Sequence, residues 1–337
     1  MEQYVRPKDS YTIFYDSLHE GEWIRSLHPH FSKASLIPII DPGNNIPSID
    51  QLIAYDRPDV IISYEGRPFL VIERTEEVPS SHNCGQRFAR IVRASELGVP
   101  VIYFFPFVAQ KHGAESRERQ RFGKANQRYV NPRLFSAFER IEEIHDTLII
   151  PISWPVDSEY ELLRTPEKDV EIKCVLHEIV KWLECRKDLT KLGVQPNIVE
   201  SKAKASREKD TRYRSTKKNR GPPPSVRIER TSAIVEEYRI NEPVTTKLLK
   251  RDRSVVYRMG MRYLRSDPYA GTLALYDYLY ARTGPRTTDR CMNVVTHAPN
   301  IDSNDWNRIR ETGSQRKDVS LFRLFSDCII LGDVAVI

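Results

Sequence analysis

A chain of 337 residues, 40% of them hydrophobic, can bury a large core and reads as one or two domains. Its apolar runs all fall short of the roughly 18 residues that a membrane-spanning helix needs, and the opening Met-Glu-Gln-Tyr-Val-Arg-Pro lacks the apolar stretch of a secretory leader. A helical membrane protein is excluded, and the expectation is a soluble cytoplasmic chain with no membrane partner. The five cysteines, at 84, 174, 185, 291 and 328, are scattered and form no CxxC pair, so they read as reduced thiols rather than disulfides or zinc ligands. The net charge of +6 is concentrated: Lys202 to Arg220 holds nine Lys or Arg against two acids, a local +7 that leaves the remainder near −1.

From the N-terminus, Tyr11, Phe14, Tyr15 and Leu18 lie at helical spacing and predict a helix over Ser10 to Glu20, with Glu22 and Trp23 close behind. His19, His28 and His30 lack cysteine partners and zinc-site spacing, and His28-Pro29-His30 reads as a turn. The run from Asp59 to Tyr64 and the run from Phe69 to Thr75 are rich in β-branched and aromatic residues and flank Glu65-Gly66-Arg67-Pro68, so they predict a β-hairpin. Val78 to Asn83 reads as a loop. Phe88, Ile91, Val92 and Leu97 then have broadly helical spacing, Gly98 ends that helix, and Val99 to Phe105 is a fully apolar strand.

Further on, Lys111 to Arg128 is a basic excursion, Leu134, Phe135, Phe138 and Ile141 mark a helix, and Thr147 to Ile152 reads as a second buried strand. Val170 to Glu184 is amphipathic by spacing. The basic stretch from Ser201 to Ser225 has no apolar periodicity and closes on three prolines, so 199–230 reads as a flexible linker or loop. It suits contact with a phosphate backbone through Lys217, Lys218 and Arg220, and equally plain solvation. Beyond it, Ser266 to Arg282 carries Leu273, Tyr276, Leu279 and Tyr280 on one helical face, and the chain closes on an apolar strand or strand pair flanked by Asp327 and Asp333, which read as turn residues.

The hairpin carries the chemistry. Antiparallel pairing brings Glu73 back beside Asp59, and two such carboxylates repel unless a cation sits between them; oxygen ligands favour a hard ion such as Mg²⁺. These residues resemble the PD-(D/E)XK nuclease superfamily, which includes most type II restriction endonucleases. Pro58-Asp59 looks like its PD element and Glu73-Arg74-Thr75 its (D/E)XK element, with thirteen residues between the two acids. A hairpin, a crossover helix and a buried strand, in that order, are similar to that superfamily's core.

The resemblance implies an α/β (α+β) fold, a central mixed β-sheet flanked by helices, and Mg²⁺ held by Asp59 and Glu73. It also implies a further acid, Glu20 or Glu22, from the helix before the hairpin. The superfamily's lysine position is Thr75, which can hold a water but supplies no positive charge. Glu77 shares a strand face with Glu73 and Thr75 if the strand runs that far. Gln86 and Arg87 open the next helix towards the active site, and Arg90 suits phosphate contact, whereas Arg93 reads as solvated. The expected organisation is a nuclease core over residues 1–198, a basic linker over 199–230 and a recognition or dimerisation region over 231–337. The expected activity is Mg²⁺-dependent, sequence-specific cleavage of double-stranded DNA, for which a symmetric site favours a homodimer. The alternative is a catalytically silent nucleic-acid-binding or assembly protein with a nuclease-like core.

Overall fold

Glu65 and Gly66 both adopt positive φ, 50° and 79°, the geometry of a two-residue hairpin loop whose twist matches the strands it joins. The computed structural model in which they sit describes residues 11–40, 43–53, 57–79, 81–110, 127–185, 188–215, 226–258, 292–304, 326–332 and 335–336. Up to Ser215 the elements are β1 (Tyr11–Tyr15), α1 (Leu18–Leu27), β2 (Ser35–Pro38), α2 (Pro47–Leu52), β3 (Val60–Tyr64), β4 (Arg67–Arg74) and α3 (Ser81–Glu96). They continue with β5 (Val101–Phe105), β6 (Val108–Gln110), β7 (Gln127–Tyr129), α4 (Pro132–His145), β8 (Ile149–Ser153), α5 (Val170–Glu184) and α6 (Pro196–Ser215). The chain clusters into two compact units, Met1–Pro79 with Arg90–Ser215, and Ser80–Ala89 with Thr216–Ile337.

The first unit is α+β, with a central mixed sheet of order β2-β1-β3-β4-β5-β8 flanked by helices. The β3–β4 hairpin is antiparallel, and α3 returns the chain so that β5 runs parallel to β4, as a crossover helix requires. Every residue of β5 is buried, the expected state of a strand covered on both faces. Pro68 sits inside β4 without breaking the sheet because the register shifts opposite it, between Ile62 and Ser63. Gly98 adopts φ +68°, so it closes the end of α3 as expected.

Three expectations are corrected. Tyr11–Tyr15 is a strand, parallel to β2 and antiparallel to β3, and the helix begins only at Leu18. Tyr-Thr-Ile-Phe-Tyr is also a β-forming run, and burial of four of its five residues in the sheet outweighs the helical spacing. The loop expected over 78–83 ends earlier, since α3 starts at Ser81. Residues 199–215 are not a linker: they belong to the 20-residue helix α6, which packs on β8 and α4 through Ile198, Ser201 and Ala205, all buried.

The second unit holds β9 (Val226–Arg230), α7 (Thr231–Glu237), α8 (Val244–Leu248), β10 (Arg253–Arg258), β11 (Asn293–Ala298), β12 (Cys328–Leu331) and β13 (Ala335–Val336). Its sheet order is β13-β12-β11-β10-β9, with β10, β11 and β12 parallel and the two outer strands antiparallel to their neighbours. Ile234, Val244, Leu248, Val256, Val295 and Ile330 form its apolar core. The expected strand pair at the C-terminus is β12 and β13, whereas the helix expected over 266–282 and the basic excursion at 111–126 lie outside the described residues. Among the described residues no helix is long and apolar enough to cross a membrane.

Candidate active site

The β3–β4 register pairs Val60 with Ile72, so Asp59 and Glu73 stand opposite each other on one face. Both are buried, Asp59 at 7% exposure and Glu73 at 0%. Burying two like charges side by side is costly without a counter-charge. Arg90, one of the buried residues of α3 at 5% exposure, supplies it: its Nη1 donates to Asp59 Oδ1 at 2.7 Å and to Glu73 Oε2 at 2.9 Å. The remaining oxygens are also engaged. Arg74 N donates to Asp59 Oδ2 at 2.7 Å, and Asp59 N donates to Glu73 Oε1 at 3.2 Å. Each of the four carboxylate oxygens thus accepts from a protein donor.

Glu73 pairs with Tyr103 across β4 and β5, and the Tyr103 ring meets Phe138 of α4 at 6.0 Å, so α3 and α4 cover this face. The opposite face carries Arg74. Its guanidinium lies 4.8 Å from the Trp23 ring and 4.8 Å from the Trp154 ring, and both rings stack on Phe104. Trp23 is fixed by its Nε1 hydrogen bond to Asp169, and Trp154 by its Nε1 bond to Leu163 O. Arg74 also pairs with Glu76, which Arg164 holds from the other side at 2.6 Å. Burial works to raise the Glu76 carboxyl, but the Arg164 and Arg74 guanidinium groups outweigh it and hold its pKa below the usual carboxylate value. Adjacent residues of one strand therefore place a carboxylate around an arginine on one face and an arginine between indoles on the other.

Of the expected site residues, Asp59, Glu73 and Arg90 are brought together. Thr75 is buried beside them in sequence, but its hydroxyl accepts from Glu77 N at 3.3 Å and its own N donates to Phe104 O. β4 ends at Arg74, so the strand does not carry Glu77 onto the Glu73 face; Glu77 is exposed. Glu20 is half-buried in the first turn of α1, and Glu22 is exposed and pairs with Arg25. Among the described residues no group of three or more His, Cys, Asp or Glu side chains is placed to hold a metal ion. Arg87 is half-buried on α3, and the side chain of Gln86 lies outside the described residues. Arg93 is not simply solvated, since it donates to Gln51 O at 2.7 Å and pairs with Glu96.

The basic stretch changes meaning. Lys202 pairs with Glu142 and Lys209 with Glu139 of α4, and Lys204 pairs with Glu171 of α5, so these three cations tie α6 to the helices around it, while Arg207 pairs with Glu200 within α6 itself. Lys217, Lys218 and Arg220 lie outside the described residues. Asp327 sits at the bend before β12, as expected, but it is also buried, accepts from Val294 N at 2.8 Å and pairs with Arg251, whereas Asp333 lies outside the described residues. Comparison with protein-family models, with curated proteins and with solved structures gives no match.

Proposed function

We propose that the first unit is the core of a Mg²⁺-dependent nuclease that cleaves phosphodiester bonds of double-stranded DNA, in the manner of a restriction endonuclease. The observation that carries this reading is the convergence of two buried carboxylates from paired strands around a positive charge. That donor set is all oxygen and fits a hard divalent ion. Asp59 and Glu73 would hold it. Bound there, Mg²⁺ would supply Lewis-acid activation of the phosphodiester and of water.

Arg90 accounts for the superfamily lysine that Thr75 does not supply. Its guanidinium is a permanent cation, and release from Asp59 Oδ1 and Glu73 Oε2 frees the two oxygens it occupies and turns its fork towards a phosphate. The Trp23–Arg74–Trp154 stack on the opposite face fixes the backbone of β4, and with it the Arg74 N–H that orients Asp59.

The test is incubation of wild type and Asp59→Asn with a plasmid and a methylation-free phage genome, in Mg²⁺ or in EDTA. Discrete Mg²⁺-dependent fragments that disappear in the variant are expected. The complete hydrogen bonding of all four carboxylate oxygens favours a second reading, a nucleic-acid-binding protein with a silent nuclease-like core. Salt-sensitive DNA binding without cleavage of unmodified DNA, modified DNA or RNA would select it.

A further inference from the structure

The second unit holds an arrangement of opposite character. Arg230 ends β9 and Arg253 begins β10, and the antiparallel register sets them directly across from each other. Like charges facing each other across a strand pair destabilise the sheet. Among the described residues neither guanidinium makes a hydrogen bond or an ion pair. Both line a cavity of about 660 Å³ that Arg251, Thr231, Ser232 and Asp252 also line. Arg251 is paired with Asp327, so among the described lining residues Arg230 and Arg253 set two guanidinium groups against the one carboxylate of Asp252.

The frame around it is firmly built. Arg251 Nη1 donates to Asn293 Oδ1 at 3.1 Å and reaches Asp327 Oδ1 at 3.5 Å. Thr231 bonds the segment from both its groups, with N donating to Asp252 O at 2.8 Å and Oγ1 donating to Arg251 O at 2.6 Å. Asn293 Nδ2 donates to Leu248 O at 2.8 Å and to the buried hydroxyls of Thr231 and Ser254. The polar groups of this frame therefore satisfy one another, while Arg230 and Arg253 are left facing the hollow.

We propose that this pocket binds a phosphate group. A guanidinium fork matches phosphate oxygens in bidentate geometry, and one phosphate between Arg230 and Arg253 converts their repulsion into two charge-assisted contacts. The hydroxyl of Ser232 lies on the same rim as a further donor. The phosphate belongs either to a nucleic-acid strand or to a free nucleotide, and the site stands independently of the Asp59 and Glu73 centre.

The experiment uses the full chain, wild type beside Arg253→Gln and Arg230→Gln, unfolded thermally in a phosphate-free buffer and then with inorganic phosphate against chloride at matched ionic strength. Wild type is expected to gain several degrees with phosphate. Each variant is expected to unfold at or above the wild-type temperature without phosphate, because a like-charge contact is gone, and to lose the phosphate-dependent gain. A gain in the variants equal to that of wild type, or none in wild type, overturns the proposal. A labelled single-stranded oligonucleotide and AMP then identify the source. A salt slope for the oligonucleotide that is shallower in the variants by about 0.7 per lost contact assigns the phosphate to a strand, and AMP binding without that change assigns it to a free nucleotide.

Discussion

In the first unit a single arginine closes two carboxylates; in the second, two arginines face each other, and among the described residues neither is paired with a carboxylate. The difference lies in burial. Arg90 is 5% exposed, and at that depth an uncompensated charge cannot persist, so the fold supplies every partner from within the chain. Arg230 and Arg253 sit at an exposed sheet end where water screens their repulsion, so the fold tolerates an incomplete set. A closed charge cluster must open before it binds anything, whereas an open one gains stability when a ligand arrives.

Breaking the closed cluster gives the largest expected effect. Arg90→Met leaves Asp59 and Glu73 buried and unneutralised, at a cost of about 3–5 kcal/mol in urea unfolding. Adding Mg²⁺ to that variant sharpens the test. If the carboxylates form a cation seat, the unfolding midpoint recovers with Mg²⁺ and the recovery is lost in Arg90→Met combined with Asp59→Asn. A midpoint indifferent to Mg²⁺ sinks the metal reading and leaves a purely structural triad.

Arg74 is closed by rings instead of carboxylates, which separates the two ways of burying a guanidinium. Arg74→Met keeps most of the aliphatic packing against Trp23 and Trp154 but removes the cation–π contacts and the pair with Glu76. A loss of about 2 kcal/mol is expected, with Glu76 rising in pKa because one of its two guanidinium partners is gone. Carboxyl titration followed by NMR checks the second point, and an unmoved Glu76 would assign its low value to Arg164 alone.

The hairpin and its carboxylates were legible because two apolar runs bracket a glycine turn, and a period of two fixes which residues share a face. The segment Tyr11–Tyr15 was not, because Tyr11, Phe14, Tyr15 and Leu18 satisfy helical spacing while Tyr-Thr-Ile-Phe-Tyr satisfies strand propensity, and only tertiary burial decides between them. Helix α6 was hidden for another reason. Its buried positions are Ile198, Ser201 and Ala205, spaced as i, i+3 and i+7, and two of the three are too small or too polar to register as apolar. They let the helix approach β8 closely, and ion pairs from Lys202, Lys204 and Lys209 do the rest. Arg90 suits phosphate contact by its chemistry, but its bond to both carboxylates depends on where α3 docks, which no local pattern encodes. The arginine pocket was missed because Arg230 and Arg253 are far apart in sequence and meet only through the antiparallel register of β9 and β10, which no local pattern encodes.

The smallest expected effect is a pH dependence that both units share. His28 is held below the usual histidine pKa by burial, reinforced by His30 and His177, the latter with Nδ1 3.4 Å from His28 Nε2, while Glu184 opposes the shift. His297 in the second unit is also lowered by burial, here with Arg258 and Arg227 reinforcing it and Glu237 opposing. In both cases the unfolded chain takes up a proton near pH 6.5, before the folded one does. Stability from each site is therefore complete above that pH, falls as the pH drops towards the folded-state pKa, and is flat below it. His28→Asn and His297→Asn should each flatten part of this slope in unfolding midpoints measured from neutral to mildly acidic pH, and the two effects should add because the residues belong to different units. A slope unchanged by either substitution would place the acid sensitivity in the carboxylates instead.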